Sequence, residues 1–220
     1  MSGRLIAIGD IHGCSDALRV LLNTIQPESD DTIVTLGDYV DRGPNSKDVI
    51  EQLIALKQKC VVVCLQGNHE EMMLRVVRDE EPPYNWLRYG GVETLDSYGF
   101  VGDMKCIPPE HFAFFDTMAP FYESEEHIFL HANYDPGQEL EKQTEFHLRW
   151  LKLTESTPGP HMSGKRAVVG HTHDRGGEIF DVGHLVCIDT YCYGGGWLTG
   201  LEVRTGELWQ VDFNGRLRNS

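Results

Sequence analysis

The chain has 220 residues, of which 40% are hydrophobic and 24% are charged, as expected for a globular domain with a substantial core. Its formal net charge is −15, which argues against a broad nucleic-acid interface because such a surface repels polyanions. No apolar run approaches the roughly 20 residues of a membrane span, and the N-terminus meets charged residues too early for a signal peptide. The six cysteines lack zinc-site spacing, so we expect one domain over residues 1–220 in the reducing cytoplasm, with no membrane partner.

The first third of the chain predicts alternating strands and helices. Short β-rich runs at residues 4–8, 32–36 and 61–66 are separated by amphipathic segments near residues 15–24 and 46–57. This alternation favours a parallel sheet with right-handed crossovers between its strands.

The middle of the chain predicts a small helical insertion. A helix over residues 70–78 should end before Pro82 and Pro83, and a second helical pattern over residues 86–98 is interrupted at Gly90 and Gly91. Residues 108–118 predict a third helix. Tyr84, Trp86 and Tyr89 fit the core of this insertion better than the wall of a substrate groove.

Strand patterns return in the last hundred residues, at 128–130, 167–169, 178–180, 185–188, 198–203 and 208–211. Turn residues between the later runs indicate an antiparallel second sheet. The polar stretch 135–164, with several glycines and prolines, predicts a mobile loop over one sheet edge. The predicted fold is therefore α/β, with two packed mixed β-sheets flanked by helices.

Polar motifs directly follow the first three predicted strands. They are Gly-Asp-Ile-His-Gly with Asp10 and His12, Gly-Asp-Tyr-Val-Asp-Arg-Gly with Asp38, Asp41 and Arg42, and Gly-Asn-His-Glu with Asn68 and His69. Two further histidines, His131 and His171, also follow predicted strands. Open α/β sheets place their sites at such strand ends, and carboxylate, amide and imidazole ligands suit divalent ions such as manganese or iron.

In order and spacing, these motifs resemble those of the PPP-family metallophosphatases, within the calcineurin-like metallophosphoesterase superfamily. The short chain is similar to bacterial and phage serine/threonine protein phosphatases and to symmetrical diadenosine tetraphosphatases. His131-Ala132-Asn133 and Gly170-His171-Thr172 resemble two further elements of the family, with Asn133 departing from the family's last position.

The resemblance implies a site for two divalent metal ions, most readily Mn²⁺, with iron or zinc as alternatives. It implies six ligands: Asp10, His12, Asp38, Asn68, His131 and His171. Asp10 and His12 would hold the first ion and Asp38 would bridge both, leaving the other three for the second. In such sites the ions share a hydroxide that attacks phosphorus in line.

The same resemblance assigns catalytic roles to side chains beside the ions. Arg42 would clamp the phosphoryl oxygens, and His69 would protonate the leaving oxygen while Asp41 orients its ring. The family has a second phosphate-binding arginine. Arg149 is the candidate for it, and Arg166 and Arg175 are alternatives.

Two enzymatic functions share every one of these residues. The first hypothesis is a metal-dependent phosphomonoesterase acting on phosphoserine or phosphothreonine in proteins. The alternative is a symmetrical bis(5'-nucleosyl)-tetraphosphatase that hydrolyses diadenosine tetraphosphate. A catalytically inactive binding module is disfavoured, because every expected ligand and His69, Asp41 and Arg42 are present.

Overall fold

The computed structural model describes residues 3–218, whose strands and helices build two stacked sheets with helices on both outer faces. The strands are β1 (Leu5–Ile8), β2 (Thr32–Thr35), β3 (Val61–Cys64), β4 (Phe121–Glu123), β5 (His127–Leu130), β6 (Arg166–Val169), β7 (Phe180–Asp181), β8 (Leu185–Cys187), β9 (Asp189–Thr190), β10 (Trp197–Glu202) and β11 (Leu208–Asp212). The α-helices are α1 (Ser15–Ile25), α2 (Ser46–Leu56), α3 (Asn68–Val77), α4 (Tyr84–Trp86), α5 (Val92–Ser97), α6 (Pro109–Phe115) and α7 (Glu145–Arg149).

The first sheet has the order β11-β10-β1-β2-β3, and β9 pairs with β10 at its side. Strands β1, β2 and β3 are parallel, as their alternation with α1 and α2 predicts, and β10 runs antiparallel to β1. The second sheet has the order β4-β5-β6-β8-β7. The predicted pair of mixed sheets is confirmed.

The prediction of an antiparallel second sheet is wrong in two respects. Strands β5, β6 and β8 are parallel, and only the edge strands β4 and β7 run against their neighbours. The last two strands, β10 and β11, belong to the first sheet, where β10 pairs with β1. Short turns between late strands indicate hairpins, but they do not reveal which sheet a hairpin joins.

Alternation along the strands divides the core into layers. Ile6 and Ile8 of β1 pack against helices α1 and α2, whereas Leu5 and Ala7 face the second sheet. There they meet Phe129 and other apolar side chains of β5, β6 and β8. Because both faces of β1 are buried, the strand reads as a continuous apolar run.

The stretch 135–164 covers the outer face of the second sheet instead of lying over one edge. It contains a 3₁₀ turn at Leu140–Lys142 and helix α7. Leu140, Leu148 and Leu153 pack there against side chains of β5, β6 and β8. Polar composition alone predicted a loop, but three well-spaced leucines anchor this segment to the sheet.

The helical insertion follows α3 and contains α4, a π-helical segment at Leu87–Gly91, and α5. Gly90 has φ of 113°, a left-handed value that interrupts the helix as predicted. Trp86 is buried, which confirms its predicted core role, whereas the same prediction is wrong for Tyr84 and Tyr89, which are exposed. No helix of residues 3–218 is long and apolar enough to cross a membrane.

Candidate functional site

Asp38 lies at the centre of a cluster of buried histidines. Its Oδ2 atom is 3.4 Å from His12 Nε2 and 3.9 Å from His69 Nε2, and its Oδ1 atom is 3.4 Å from His131 Nε2. Two sets of three potential metal ligands result, one with His12 and His69 and the other with His131 and His171. Asp38 belongs to both sets, so its two oxygens face two adjacent positions for a cation.

Hydrogen bonds to backbone carbonyls orient the ring nitrogens of these histidines. His12 Nδ1 donates to Val40 O at 2.9 Å, and His131 Nδ1 donates to Leu36 O at 2.7 Å. His171 Nε2 donates to the carbonyl of Trp150 at 3.0 Å. In each ring the other nitrogen therefore keeps its lone pair for the cluster, the arrangement found in metal-ligating histidines.

The other two predicted ligands lie next to this cluster. Asn68 Oδ1 is 3.1 Å from His131 Nε2, so it can share a cation with that ring. Asp10 accepts the backbone N–H of His171 at 3.0 Å and interacts with the carboxyl of Asp189. All six predicted ligands thus come together at one place.

The charges of the cluster fit divalent cations. Asp10, Asp38 and Asp189 are all buried, and burial with the neighbouring carboxylates raises the pKa of Asp10 well above its ordinary value. Burial alone would also raise the pKa of Asp38, but the surrounding imidazoles outweigh it and lower that pKa. Burial lowers the pKa of His12 and of His131, which favours the neutral rings that metal ligation requires. A buried carboxylate group with neutral imidazoles is stabilised when cations offset its charge.

Backbone strain concentrates at these residues. Eight non-glycine residues of the described chain have positive φ, and six lie around the cluster: His12, Asp38, Asp41, Arg42, His171 and Tyr191. Such conformations cost on the order of 1–3 kcal/mol each, so they persist only where the surroundings enforce them. Glu70 holds one of them, Asp38, because its buried carboxyl group accepts the backbone N–H of Asp38 together with those of Tyr39, Val40 and Gly67.

Two motif glycines permit the close approach of carboxylates. A Cβ atom on Gly67 would lie 2.1 Å from Asp38 Oδ1, and one on Gly170 would lie 2.1 Å from Asp10 Oδ1. No side chain fits at either position without moving a carboxylate of the cluster. The glycines of these motifs therefore follow from the packing of the site.

His69 and Asp41 form the pair that the motifs predicted. His69 Nδ1 donates to Asp41 Oδ2 at 2.7 Å, while Nε2 faces the cluster. Burial lowers the pKa of His69, but Asp38 and Asp41 outweigh burial and raise it above the ordinary value. The helical insertion fixes Asp41, which accepts Trp86 Nε1–H at 3.0 Å and the Thr94 hydroxyl at 2.7 Å.

The cluster opens into a cavity of about 180 Å³ that carries two cationic side chains, Arg42 and Lys152. Arg42 Nη1 donates to His12 Nε2 at 3.1 Å and to the Tyr193 hydroxyl at 2.7 Å. Tyr89, Trp150 and other side chains complete the walls. A small anionic group entering this cavity would meet cationic side chains at its rim.

Arg149 has a different place from the one expected. It is buried, and its Nε donates to Glu71 at 2.5 Å while a terminal nitrogen lies 3.0 Å from Glu145. It therefore ties α7 to α3 and does not line the cavity, and its role as a phosphate ligand stays an untested prediction. Arg166 starts β6, at the opposite end of the strand from His171, and pairs with Asp181 at 2.6 Å.

The motifs gave no indication of Lys152 or Tyr193, whereas His173 directly follows the Gly170-His171-Thr172 element. Lys152 and His173 line the cavity, and Tyr193 contacts Arg42. Lys152 and His173 lie in irregular segments after α7 and β6, and Tyr193 lies in a 3₁₀ turn, Cys192–Gly194, after β9. A cation two residues after Trp150 is the one signal for Lys152 in the sequence.

Comparison with known proteins places the chain in a family. The family model described as calcineurin-like phosphoesterase matches residues 3–175, well over half of the chain. The chain belongs to the calcineurin-like phosphoesterase family. Its motifs, its two sheets and its His/Asp cluster agree, and the resemblance drawn from the motifs is confirmed. Members of this family use a dinuclear divalent metal site, which the cluster fits.

One curated relative and two solved structures are similar to this chain. The symmetrical bis(5'-nucleosyl)-tetraphosphatase of Burkholderia pseudomallei is 38% identical over 103 residues, which are 47% of this chain and 32% of that protein. A protein provisionally named as a diadenosine tetraphosphatase has a TM-score of 0.73 at 24% identity, covering 98% of this chain and 96% of that chain. A cold-active protein-tyrosine phosphatase from a psychrophilic Shewanella has a TM-score of 0.70 at 17% identity, covering 99% and 80%.

These matches differ in the length that they cover and in their sequence identity. The aligned part spans about a third of the curated phosphoesterase relative, 32% of its length. The two solved structures share the fold at low sequence identity and therefore say nothing about substrate.

Proposed function

We propose that this phosphoesterase hydrolyses dinucleoside tetraphosphates symmetrically, releasing two nucleoside diphosphates, with two divalent metal ions in its site. One observation supports the chemistry above all: Asp38 lies between two histidine sets at the floor of a cavity whose rim carries Arg42 and Lys152. The 38% identity to a symmetrical tetraphosphatase supports the substrate. This choice reverses the order of the two hypotheses drawn from the sequence.

Asp38 and the five other predicted ligands around it would hold the ions. Mn²⁺ fits the mixture of carboxylate, amide and imidazole ligands, with iron or zinc as alternatives. Bound ions of this kind lower the pKa of a coordinated water towards neutrality and offset the charge of a phosphate. Bound cations would offset the negative charge of the buried carboxylates of Asp10 and Asp38.

The remaining residues act on the substrate directly. Arg42 and Lys152 would hold the phosphoryl oxygens, and Arg42 would leave His12 Nε2 to do so. His69 Nε2 would give its proton to the oxygen that departs from phosphorus, as the new P–O bond forms on the opposite side. Asp41 keeps the His69 ring in place through Nδ1.

One observation favours the second candidate, hydrolysis of phosphoserine or phosphothreonine in proteins. Asp38 and Asp41 raise the pKa of His69, which favours the protonated ring. A serine alkoxide needs that proton to depart, whereas a nucleoside diphosphate leaves readily without it. A dianionic phosphomonoester also fits the cavity.

A panel assay with manganese tests the proposal. Diadenosine tetraphosphate and phosphoserine or phosphothreonine peptides are compared by kcat/KM at equal enzyme concentration, with a chelated sample as control. We expect the dinucleotide to be hydrolysed with the higher kcat/KM and ADP to be the sole nucleotide product. A higher kcat/KM on phosphopeptides, or the release of AMP with ATP, contradicts the proposal.

The six free cysteines fit the cytoplasm as the proposed compartment.

A further inference from the structure

A groove with a volume of about 210 Å³ opens beside the cavity at Asp38. We call this groove the outer groove and the cavity at Asp38 the metal cavity. Leu153, Thr157, Thr172, His173 and Phe180 are among the residues that line it.

The outer groove adjoins the metal cavity. His173 lines both, and Lys152, which lines the metal cavity, is followed directly in the chain by Leu153 of the outer groove. The outer groove is therefore the neighbouring space for the rest of a molecule whose reacting group lies at Asp38.

Size requires such an extension. Pockets that enclose a drug-sized ligand measure roughly 300–1,000 Å³. The metal cavity, at about 180 Å³, holds a phosphate group but not a nucleoside attached to it. The rest of any larger substrate must lie outside that cavity.

The chemistry of the two spaces is complementary. Arg42 and Lys152 line the metal cavity, whereas none of the described residues that line the outer groove is a lysine or arginine. The outer groove offers threonine hydroxyls and the exposed ring of Phe180 instead, with 41% of that residue accessible. This division fits a substrate with an anionic part and a neutral, aromatic end.

Hydrogen bonds hold the walls of the outer groove in place. The Thr172 hydroxyl accepts the backbone N–H of Leu153 at 2.9 Å, and the Thr157 hydroxyl donates to the carbonyl of Leu153 at 3.0 Å. Asp174 Oδ1 accepts the backbone N–H of Gly176 at 2.8 Å. A wall fixed in this way loses little freedom when a ligand binds, which favours affinity.

We propose that the outer groove is the binding site for one nucleoside of the dinucleoside tetraphosphate, with the base against Phe180 and the phosphate chain passing Lys152. This inference rests on the proposed function, because it names where that substrate's end group binds. The ring of Phe180 would supply a stacking surface, and Thr154 and Thr157 line the groove near it.

Kinetics on matched substrates test this assignment. Diadenosine tetraphosphate carries the nucleosides, inorganic tetraphosphate has the same phosphate chain without them, and a phosphoserine peptide represents the other substrate class. The variants are Phe180→Ala, Phe180→Trp and, as a matched control outside the groove, Phe213→Ala, which removes another exposed ring. Melting temperatures show whether each variant is folded.

Base–aromatic stacking contributes to nucleoside affinity, so we expect Phe180→Ala to raise KM for diadenosine tetraphosphate about tenfold, equivalent to about 1.4 kcal/mol, relative to KM for inorganic tetraphosphate. Phe180→Trp should restore or lower KM for the dinucleotide, which keeps the test decisive if the alanine variant is unstable. Phe213→Ala should leave the ratio of the two KM values as it is.

The other outcomes separate the two proposals. Equal changes on both tetraphosphates, in an enzyme that still cleaves the dinucleotide, overturn the nucleoside site and leave the proposed function intact. A KM increase confined to the phosphoserine peptide overturns it as well, since a peptide would then occupy the groove. If the wild-type enzyme does not cleave diadenosine tetraphosphate, both proposals fail.

Discussion

The floor of the metal cavity is built from buried side chains at strand ends, whereas its rim is built from more exposed side chains on loops. The floor contains His12, Asp38 and His131, which lie within four residues of the ends of β1, β2 and β5. At the rim, Lys152 lies in an irregular segment and Tyr193 in a 3₁₀ turn, Cys192–Gly194. A strand end places the residues that follow it closely, whereas Lys152 and Tyr193 reach the cavity only through long-range packing. The floor can therefore be predicted from the sequence, but Lys152 and Tyr193 cannot.

Substitution of Asp38, on the floor of the cavity, should cause the largest loss of activity. Asp38→Asn keeps the size of the side chain but removes the charge shared by both histidine sets, so we expect kcat to fall more than about 10⁴-fold, beyond what one general acid supplies. Asp31→Asn is the matched control, because Asp31 is an equally buried carboxylate that pairs with Arg4 away from the cavity. Steady-state kcat at saturating manganese is the measurement. Similar losses for both variants would show general destabilisation instead of a metal-site effect.

His69→Asn should have the next largest effect and should depend on the leaving group. We expect kcat to fall about 10²- to 10⁴-fold for phosphoserine peptides and less for aryl phosphates and for the dinucleotide, whose leaving groups need less protonation. The measurement is kcat on all three substrates. A uniform loss, or a loss of metal from the variant, would make His69 a ligand, a role its position 3.9 Å from Asp38 would then explain.

Asp41→Asn should have a smaller effect, visible mainly in the pH profile. Because Asp41 helps to raise the pKa of His69, removing its charge lowers that pKa, and the protonated acid is lost at a lower pH. We expect the alkaline limb of the kcat profile to move to lower pH, with kcat at neutral pH reduced about tenfold. An alkaline limb that stays in place would remove Asp41 from this role.

Substitution of Lys152, at the rim of the cavity, should have the smallest effect on the kinetics. Lys152→Ala removes one exposed cation, so we expect KM for the dinucleotide to rise about fivefold, equivalent to about 1 kcal/mol, with little change in kcat. Lys165→Ala, at a lysine that pairs with Glu123, is the control. If KM is unaffected in Lys152→Ala but rises in Arg149→Ala, the second phosphate cation is Arg149 after all.

The sequence predicted the parallel half of the first sheet, and the motifs near its strand ends brought His12 and Asp38 to the cavity floor. It failed where distant segments meet. Nothing local to β10 indicates that it pairs with β1, and nothing local to Arg149 indicates its pairing with Glu71. Trp86 is intermediate: its burial could be predicted, but its hydrogen bond to Asp41 could not. That bond shows why the helical insertion matters to the site.

Metal content of the purified protein tests the central claim most directly. After dialysis against manganese and removal of free ions, elemental analysis should give two ions per wild-type chain and no more than one per Asp38→Asn chain. Wild-type stability should fall on chelation, since ions that bind only the folded state stabilise it by mass action. Two tightly held ions in Asp38→Asn, or a single ion in the wild type, would contradict a shared carboxylate at the centre of a two-ion site.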